Sequence, residues 1–214
     1  SIGIVFQNLG DFEHAIENLE QALQIAREIG NKRREAMCVG ILGGLCHHLG
    51  DHEKAIEHYQ QTLQLAREIG DRRTEAVCLG NSGLLSFGLG KYERAIEYHT
   101  QAIQIGHEIG NKGVKGTNLG NLAVVYDALD DHEQATEHFQ QAIQIAHEIG
   151  DKRNEGIHLG NLGDSYVKYG NLPEAEAAFR ESLPICDETY PTAAGAFRGS
   201  LALLLAKLDR LDEA

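Results

Sequence analysis

Eleven histidines and four cysteines are the side chains of this 214-residue chain with the widest chemical reach. His52 and Glu53 precede His58, and His132 and Glu133 precede His138, which invites a zinc-hydrolase reading. A helical zinc site holds its imidazoles at i and i+4, on one face. Six residues advance a helix by about 600°, which puts each pair on opposed faces. His47, His48 and His52 gather only loosely around one turn. His107 and His147 stand in the slot of Arg27 and Arg67 and read as cations at helix C-termini when protonated. No metal and no cofactor are expected.

Nucleophiles lead no further. Cys38, Cys46, Cys78 and Cys186 form no CxxC and read as free, partly buried thiols of a reducing compartment. Cys38 and Cys78 share a position with Asn118 and His158, so a Cys–His pair across stacked helices is the one nucleophilic arrangement to consider. There is no GxSxG, no P-loop and no GxGxxG after a strand. Gly160-Asn161-Leu162-Gly163 falls inside a helical pattern and cannot cradle a phosphate. The chain is not expected to be an enzyme. A different kind of group repeats instead: Asn81, Asn121 and Asn161 recur at a spacing of 40, and an amide both donates and accepts hydrogen bonds.

That spacing belongs to the whole chain. Leu9-Gly10-Asp11 returns as Leu49-Gly50-Asp51, Leu89-Gly90-Lys91, Leu129-Asp130-Asp131 and Tyr169-Gly170-Asn171. Glu28-Ile29-Gly30 returns as Glu68-Ile69-Gly70, Glu108-Ile109-Gly110 and Glu148-Ile149-Gly150. One residue is lost after Pro191, so the last unit matches at a spacing of 39. Each unit reads as two helices. Asp71 caps a helix A over about 72–89, which Gly90 ends, and a helix B runs over about 92–109. Pro191 suits the first turn of the last A helix. Pro184, where earlier units carry Gln, should kink or shorten its B helix. Stacked pairs bury one another's apolar stripes, so the expectation is one solenoid over residues 1–214. Its units are about 1–30 (partial), 31–70, 71–110, 111–150, 151–190 and 191–214 (partial), a fragment of something longer. Ile2, Val5 and Phe6 at one end, and Leu201, Leu204 and Leu205 at the other, are expected to expose stacking faces, which would permit self-association.

The pattern Leu162-Gly163, Tyr166, Gly170-Asn171, Glu174-Ala175, Phe179 resembles the tetratricopeptide repeat. So does Leu42-Gly43, Gly50-Asp51, Glu53, Ala55, Tyr59. The 40-residue period is similar to the long-helix variant of kinesin light chains, spindle-orientation adaptors and bacterial signalling proteins, and Asn121-Leu122-Ala123-Val124-Val125-Tyr126 looks most like the kinesin-light-chain type. The resemblance covers essentially the whole chain. It implies an all-α, right-handed superhelical solenoid of about five and a half units, whose A helices line a concave groove for a peptide or protein segment. The family's carboxylate clamp is missing: its Asn positions hold Ile4, Gly44, Leu84, Val124 and Asp164, and its Lys positions 40, 80, 120 and 160 are all Gly.

On helix A the buried stripe is read as 39, 42, 43, 46 and 49, repeated every 40. The opposite face then carries Ile41 and His48; Asn81, Leu84 and Phe87; Asn121, Val124 and Asp127; and Asn161, Asp164 and Lys168. These are the candidate groove residues. The Asn ladder would hold a partner's backbone, and Leu84, Phe87 and Val124 would grip its side chains; the alternative is that each Asn bonds a neighbouring helix or water and the apolar residues belong to the core. Gly40, Gly80, Gly120, Gly160 and Gly199 mark either tight helix packing or a ligand against bare backbone. The turn bases, such as Arg33, Arg72, Lys112 and Lys152, are read as pairing with nearby acids including Glu35, Glu75 and Glu155. A net charge of −13, from 32 acids against 19 bases, disfavours nucleic acid and anionic membrane as partners. No apolar run is long enough to span a bilayer and no signal peptide is visible, so a cytoplasmic scaffold or signalling module is expected. The runner-up readings are a sensor whose groove takes a small peptide or ligand, and self-assembly through the open ends.

Overall fold

The computed structural model describes residues 12–208, apart from the side chain of Glu13. Each turn is encoded in the same way. Asn31, Asp51, Asp71, Asn111, Asp131 and Asp151 each accept a hydrogen bond from the backbone amide three residues on, at 3.1–3.2 Å, which satisfies one of the amides that a helix start leaves bare. Just before these caps, Gly30, Gly50, Gly70, Gly110 and Gly150 adopt φ between 65° and 79°, the left-handed conformation that ends a helix cheaply only in glycine. Asp130 takes the same conformation, φ 61°, without being glycine.

Among the described residues these signals delimit ten α-helices and no strand: α1 (Phe12–Glu28), α2 (Lys32–His48), α3 (His52–Glu68), α4 (Arg72–Gly88), α5 (Tyr92–Glu108), α6 (Lys112–Ala128), α7 (His132–Ile149), α8 (Lys152–Tyr169), α9 (Leu172–Thr189) and α10 (Pro191–Lys207). The chain forms two compact units, Ser1–Ile109 and Gly110–Ala214. In the first, α2 packs on α3 and α4 on α5; in the second, α6 packs on α7 and α8 on α9. The even-numbered helices are the A helices of the repeat. Pro191 opens α10. Pro184 does not shorten its helix as the sequence suggests. It sits on an exposed face of α9, which continues as one helix to Thr189, held by burial of Phe179 before it and Cys186 after it.

One contact recurs at the heart of each pair. The ring slot of the B helix holds Tyr59, His99, Phe139 and Phe179, all buried. Each ring lies under the small residue of its A helix. A β-carbon on Gly43 would fall 2.8 Å from Tyr59 Cδ1, one on Gly83 2.6 Å from His99 Cε1, and one on Gly163 2.7 Å from Phe179 Cε1. The ring therefore rests on backbone, and the pair closes to a distance that only glycine, or Ala123 above Phe139, permits. Ala55, Ala95, Ala135 and Ala175, one turn before each ring, are fully buried.

A second contact joins successive A helices. Within the second unit, a β-carbon on Gly120 would fall 2.1 Å from His158 Cε1, and one on Gly160 2.2 Å from Phe197 Cε2. The glycine face of one A helix thus receives a plug from the next, so tight packing is the reason for these glycines. His158 is a costly plug: it is buried and, among the described residues, neither ring nitrogen has a hydrogen-bond partner. Burial pushes its pKa down to about 4, against a small opposing effect from Asp151.

Two expectations are corrected. Leu49, assigned to the buried stripe, is 52% exposed, because it is the last residue before the turn glycine and faces out of the pair. Cys38 and Leu45 are buried instead: an A helix is covered by its own B helix and by a neighbouring pair, so its buried face is wider than one stripe. Leu201, Leu204 and Leu205, expected to be open, are buried with Phe179 and Phe197 in one cluster, and the exposed leucine of that helix is Leu203. Ile2, Val5 and Phe6 lie outside the described residues.

The two glycine roles predict opposite effects of one added methyl group. Gly163→Ala should lower the unfolding free energy by about 1–3 kcal/mol through overpacking. Gly199→Ala, where nothing lies within 4 Å of the site, should raise it by up to about 1 kcal/mol through helix propensity; urea unfolding of both variants checks this. His158 makes stability depend on pH. Its folded pKa of about 4 lies below the 6.5 of a free imidazole, so the unfolded chain takes the proton first and stability is lost as pH falls from 6.5 to 4. Compared with His158→Phe, which carries the ring already used at Phe197, the wild type should lose about 3 kcal/mol over that window. Parallel denaturation curves at pH 7.5 and pH 4 would measure the difference.

Candidate functional site

In the first unit, α2 and α4 stand side by side above α3 and enclose a cleft of about 390 Å3. Thr62 and Cys78 line its depth, Gly40 and Ile41 one wall, Val77 and Asn81 the other, with Met37 and Arg73 at the mouth. Met37 and Val77 are 55% and 47% exposed, an amount of bare apolar surface that marks a contact region. The Thr62 hydroxyl donates to the carbonyl of His58 at 2.8 Å, which leaves its methyl 3.3 Å from the position of a β-carbon on Gly40. Cys78 donates its thiol proton to the carbonyl of Tyr59 at 3.0 Å, and burial pushes its pKa up to about 12. It is a neutral wall, not a nucleophile.

The candidate groove residues of this unit divide. Ile41 and Asn81 face the same cleft, and Leu84 is 42% exposed one turn beyond Asn81. His48 is exposed and sits edge-on to Phe12, ring centroids 5.8 Å apart. Phe87 is half-buried against Tyr92 at 5.8 Å, so it buttresses the turn into α5 and presents only part of its ring.

In the second unit the equivalent face is polar. Ser165 donates to Asp127 at 2.6 Å, and Lys168 lies 3.5 Å from the same carboxylate and 2.7 Å from Asp130. The hydrogen bond to Asp130 is the main reason that the Lys168 pKa rises. Lys168 also donates to the carbonyl of Asp127, tying α8 to the end of α6. Asp164 has its pKa raised, first by desolvation and then by the charge of Asp127, while a hydrogen bond from Ser200 opposes the shift. Val124 is half-buried against the cluster of Ala123, Phe139 and Leu162, which takes it from the grip proposed for it into the packing of the pair. At Val124 the alternative raised for the apolar residues is therefore the one the structure shows. Asn81, Asn121 and Asn161 are all half-buried on A helices, and among the described residues their side chains have no hydrogen-bond partner.

The cations at the turns are engaged. Lys32, Arg72 and Lys112 reach across to Glu68, Glu108 and Glu148 of the B helix in the same repeat. Arg27 pairs with Glu35 at 3.0 Å, Arg67 with Glu75 at 2.8 Å and His147 with Glu155 at 2.7 Å. Glu75 and Glu155 are buried and each holds a second cation, Arg72 or Lys152. Burial alone would raise the pKa of Glu155, yet the hydrogen bonds from Lys152 and His147 outweigh it and the net shift is downward. Arg73, next to this ladder, pairs with no carboxylate among the described residues. Sequence reasoning counts Arg73 among the turn bases that pair with nearby acids, and misses Val77 and the openness of the cleft; the signal was the small size of Cys78 where later units carry His158 and Phe197. His132 is held by Tyr169, ring centroids 4.2 Å apart, and lies 3.2 Å from Asn171. All four cysteines are free and buried, and no group of three or more His, Cys, Asp or Glu able to hold a metal occurs among the described residues. No helix among them is long and apolar enough to cross a membrane.

Family models of the tetratricopeptide repeat match residues 36–106 and 115–188, and another matches residues 1–68. No curated protein sequence matches the chain. Among solved structures, BtubC (BKLC) from P. vanneervenii superposes with a TM-score of 0.83 at 19% identity, covering 94% of this chain and 86% of that one. Aspartyl phosphate phosphatase F from Bacillus subtilis gives 0.86 at 14% identity, over 97% of this chain and 55% of that one, so the chain spans about half the length of that protein. A Rap protein complexed with competence and sporulation factor gives 0.69 at 21% identity, over 98% and 63%. At these identities the likeness is one of fold.

The Asp130 turn yields a double-mutant prediction. Asp130→Gly relieves a left-handed backbone but removes the nearer of the two carboxylates paired with Lys168, so stability should stay within about 0.5 kcal/mol of wild type. In a Lys168→Met background only the relief remains, and the same change should stabilise by about 1 kcal/mol. Thermal melts of the four proteins measure the coupling.

Proposed function

Because the chain belongs to the tetratricopeptide repeat family, we propose that it is a non-catalytic scaffold that holds a peptide or protein segment against its A helices. The observation that carries this reading is the set of partnerless amides. A buried amide finds a partner in the protein or in ordered water. Asn81, Asn121 and Asn161 keep both their donors and their acceptor for water on the A-helix face. Exchanging that water for a partner's backbone needs no rearrangement of the helices, and main-chain recognition of this kind is indifferent to the partner's side chains. Around Asn81 the apolar surface of Ile41, Val77 and Leu84 supplies the burial that hydrogen bonds alone do not. A Rap protein of the same fold is solved in complex with competence and sporulation factor, which supports such a role.

The test is a peptide selected against the wild-type chain from a random display library and titrated calorimetrically. Asn81→Ala, Asn121→Ala and Asn161→Ala together should weaken that peptide at least about tenfold, since each lost hydrogen bond is worth about 1 kcal/mol. The melting temperature should change little, because the amides support no helix contact. Unchanged affinity would overturn the proposed mechanism.

A further inference from the structure

We propose that the cavity between α3, α4 and the start of α5 is a site for a phosphate group, free or esterified, held by Lys91, Arg94 and Ser86. The proposal goes beyond the scaffold reading and does not depend on it: the cavity shares only Tyr59 with the cleft that Asn81 lines.

The site arises where one repeat departs from its copies in two places. At the start of the B helices the N-cap is Asp51, Asp131 and Asn171, but Lys91 before α5. Asp51 and Asp131 each accept from the amide three residues on, whereas Lys91 makes no side-chain cap bond. The equivalent amide, on Arg94, has no such acceptor, and the first turn keeps the positive end of the helix dipole open. The second departure lies on α4. Where the next repeat carries Tyr126, packed on His138 with ring centroids 5.3 Å apart, this one carries Ser86 and Tyr98. A hydroxymethyl group fills far less than a phenol, and a cavity of about 50 Å3 stays open, lined by Gln60, Ser82, Ser86, Lys91, Arg94 and Tyr98 among others.

What lines the cavity decides its ligand. Ser86 is only 7% exposed, and its hydroxyl has no hydrogen-bond partner among the described residues. Thr62, Ser82 and Thr189 each donate to the carbonyl four residues back. Ser86 does not, and a buried hydroxyl left unpaired is costly, so a group entering the cavity gives it an acceptor. Lys91 and Arg94 are exposed and pair with no carboxylate among the described residues, and none of the residues lining the cavity is acidic. Ammonium, guanidinium, hydroxyl and helix N-terminus are all donors, so the complement is an anion rich in acceptors. A carboxylate brings one charge in one plane. A phosphate monoester brings close to two charges at neutral pH, with oxygens on three sides, which matches two cations and a hydroxyl on separate helices. One water needs about 10–15 Å3, so the cavity admits a single tetrahedral oxyanion and leaves whatever is esterified to it outside. The net charge of −13 disfavours a polyanion as its carrier.

The test titrates the full 214-residue chain with inorganic phosphate and, separately, with acetyl-Gly-phosphoserine-Gly amide, followed by the NMR shifts of the protein amides. Saturable shifts around Ser86 and Lys91 are expected with both probes and with neither the unphosphorylated peptide nor chloride. Tighter binding of the phosphopeptide assigns the site to a phosphorylated side chain of a partner; equal or tighter binding of inorganic phosphate assigns it to the free ion. Lys91→Asp restores the cap of the neighbouring repeats. It is expected to melt higher than the wild type in phosphate-free buffer, which separates lost binding from lost folding, and to weaken both probes at least about tenfold. Ser86→Ala is expected to weaken them about fivefold. The combined Asn81→Ala, Asn121→Ala and Asn161→Ala variant, which addresses the scaffold reading, is expected to bind both probes as the wild type does. No saturable shift from either probe, or affinities that Lys91→Asp leaves unchanged, overturns the site and leaves the scaffold reading standing.

Discussion

The structure depends on an aromatic ring pressed onto backbone. Tyr59 under Gly43, His99 under Gly83 and Phe179 under Gly163 set how closely an A helix approaches its B helix, and they fix which residues of each helix meet. A ring has no rotamer that slides along a bare helix face without losing contact, so it acts as an index. With the index set, the alanine one turn earlier must be small, the apolar residues one turn either side must point inward, and the turn must close in the two or three residues left. This is why the 40-residue spacing holds without slippage over so many units: an insertion in either helix would move the ring off its glycine.

Charge follows from the same register. Because each pair is held at a fixed offset, the base at the start of α2, α4 and α6 stands near the acid at the end of its B helix, and Arg27, Arg67 and His147 each stand near the acid opening the next A helix. Exposed pairs of this kind are individually weak. Their larger effect is to occupy the cations. Glu75 is buried with Arg67 and Arg72, and Glu155 with Lys152 and the His147 imidazole, an arrangement that leaves neither carboxylate alone in a low-dielectric site. What the protein presents outward is then a surface with more acids than bases, and the A-helix face gains its character from amides and from apolar residues.

Much of this architecture is legible in the sequence. Helix boundaries, caps, turn glycines and the pairing of bases with Glu35, Glu75 and Glu155 follow from local chemistry, and local chemistry repeats. The errors share one physical origin. Leu49 and Val124 are placed by the phase of a single helix and Leu204 by its position at the end of the array, whereas exposure is decided by how many neighbours cover a residue. An A helix in a stack is covered from two directions, which widens its buried face and draws in Val124. The helix-ending position is covered from neither, which frees Leu49. Pro184 was judged by what it removes from an isolated helix, yet α9 is held by Phe179 and Cys186 on its packed face. The face chosen for the candidate site was right in outline, and Ile41 and Asn81 do share a cleft; the cleft itself was invisible because it depends on a side chain that is small in one helix and a ring that is large in another.

That last point separates what a repeat must keep from what it can vary. The ring on the glycine of its own pair cannot shrink without opening the core and losing the register. The residue facing the next glycine lies at the seam between pairs, where each pair is already formed. A short side chain there removes contacts at one seam while leaving the index rings untouched, so the cost is local. The variation from Cys78 to His158 to Phe197 shows that this position tolerates large changes in volume and polarity, including a buried imidazole with no hydrogen-bond partner. A position that is free in volume, bounded by invariant glycine backbone and open to the A-helix face is where an array of near-identical units can acquire a pocket at one seam without disturbing the others.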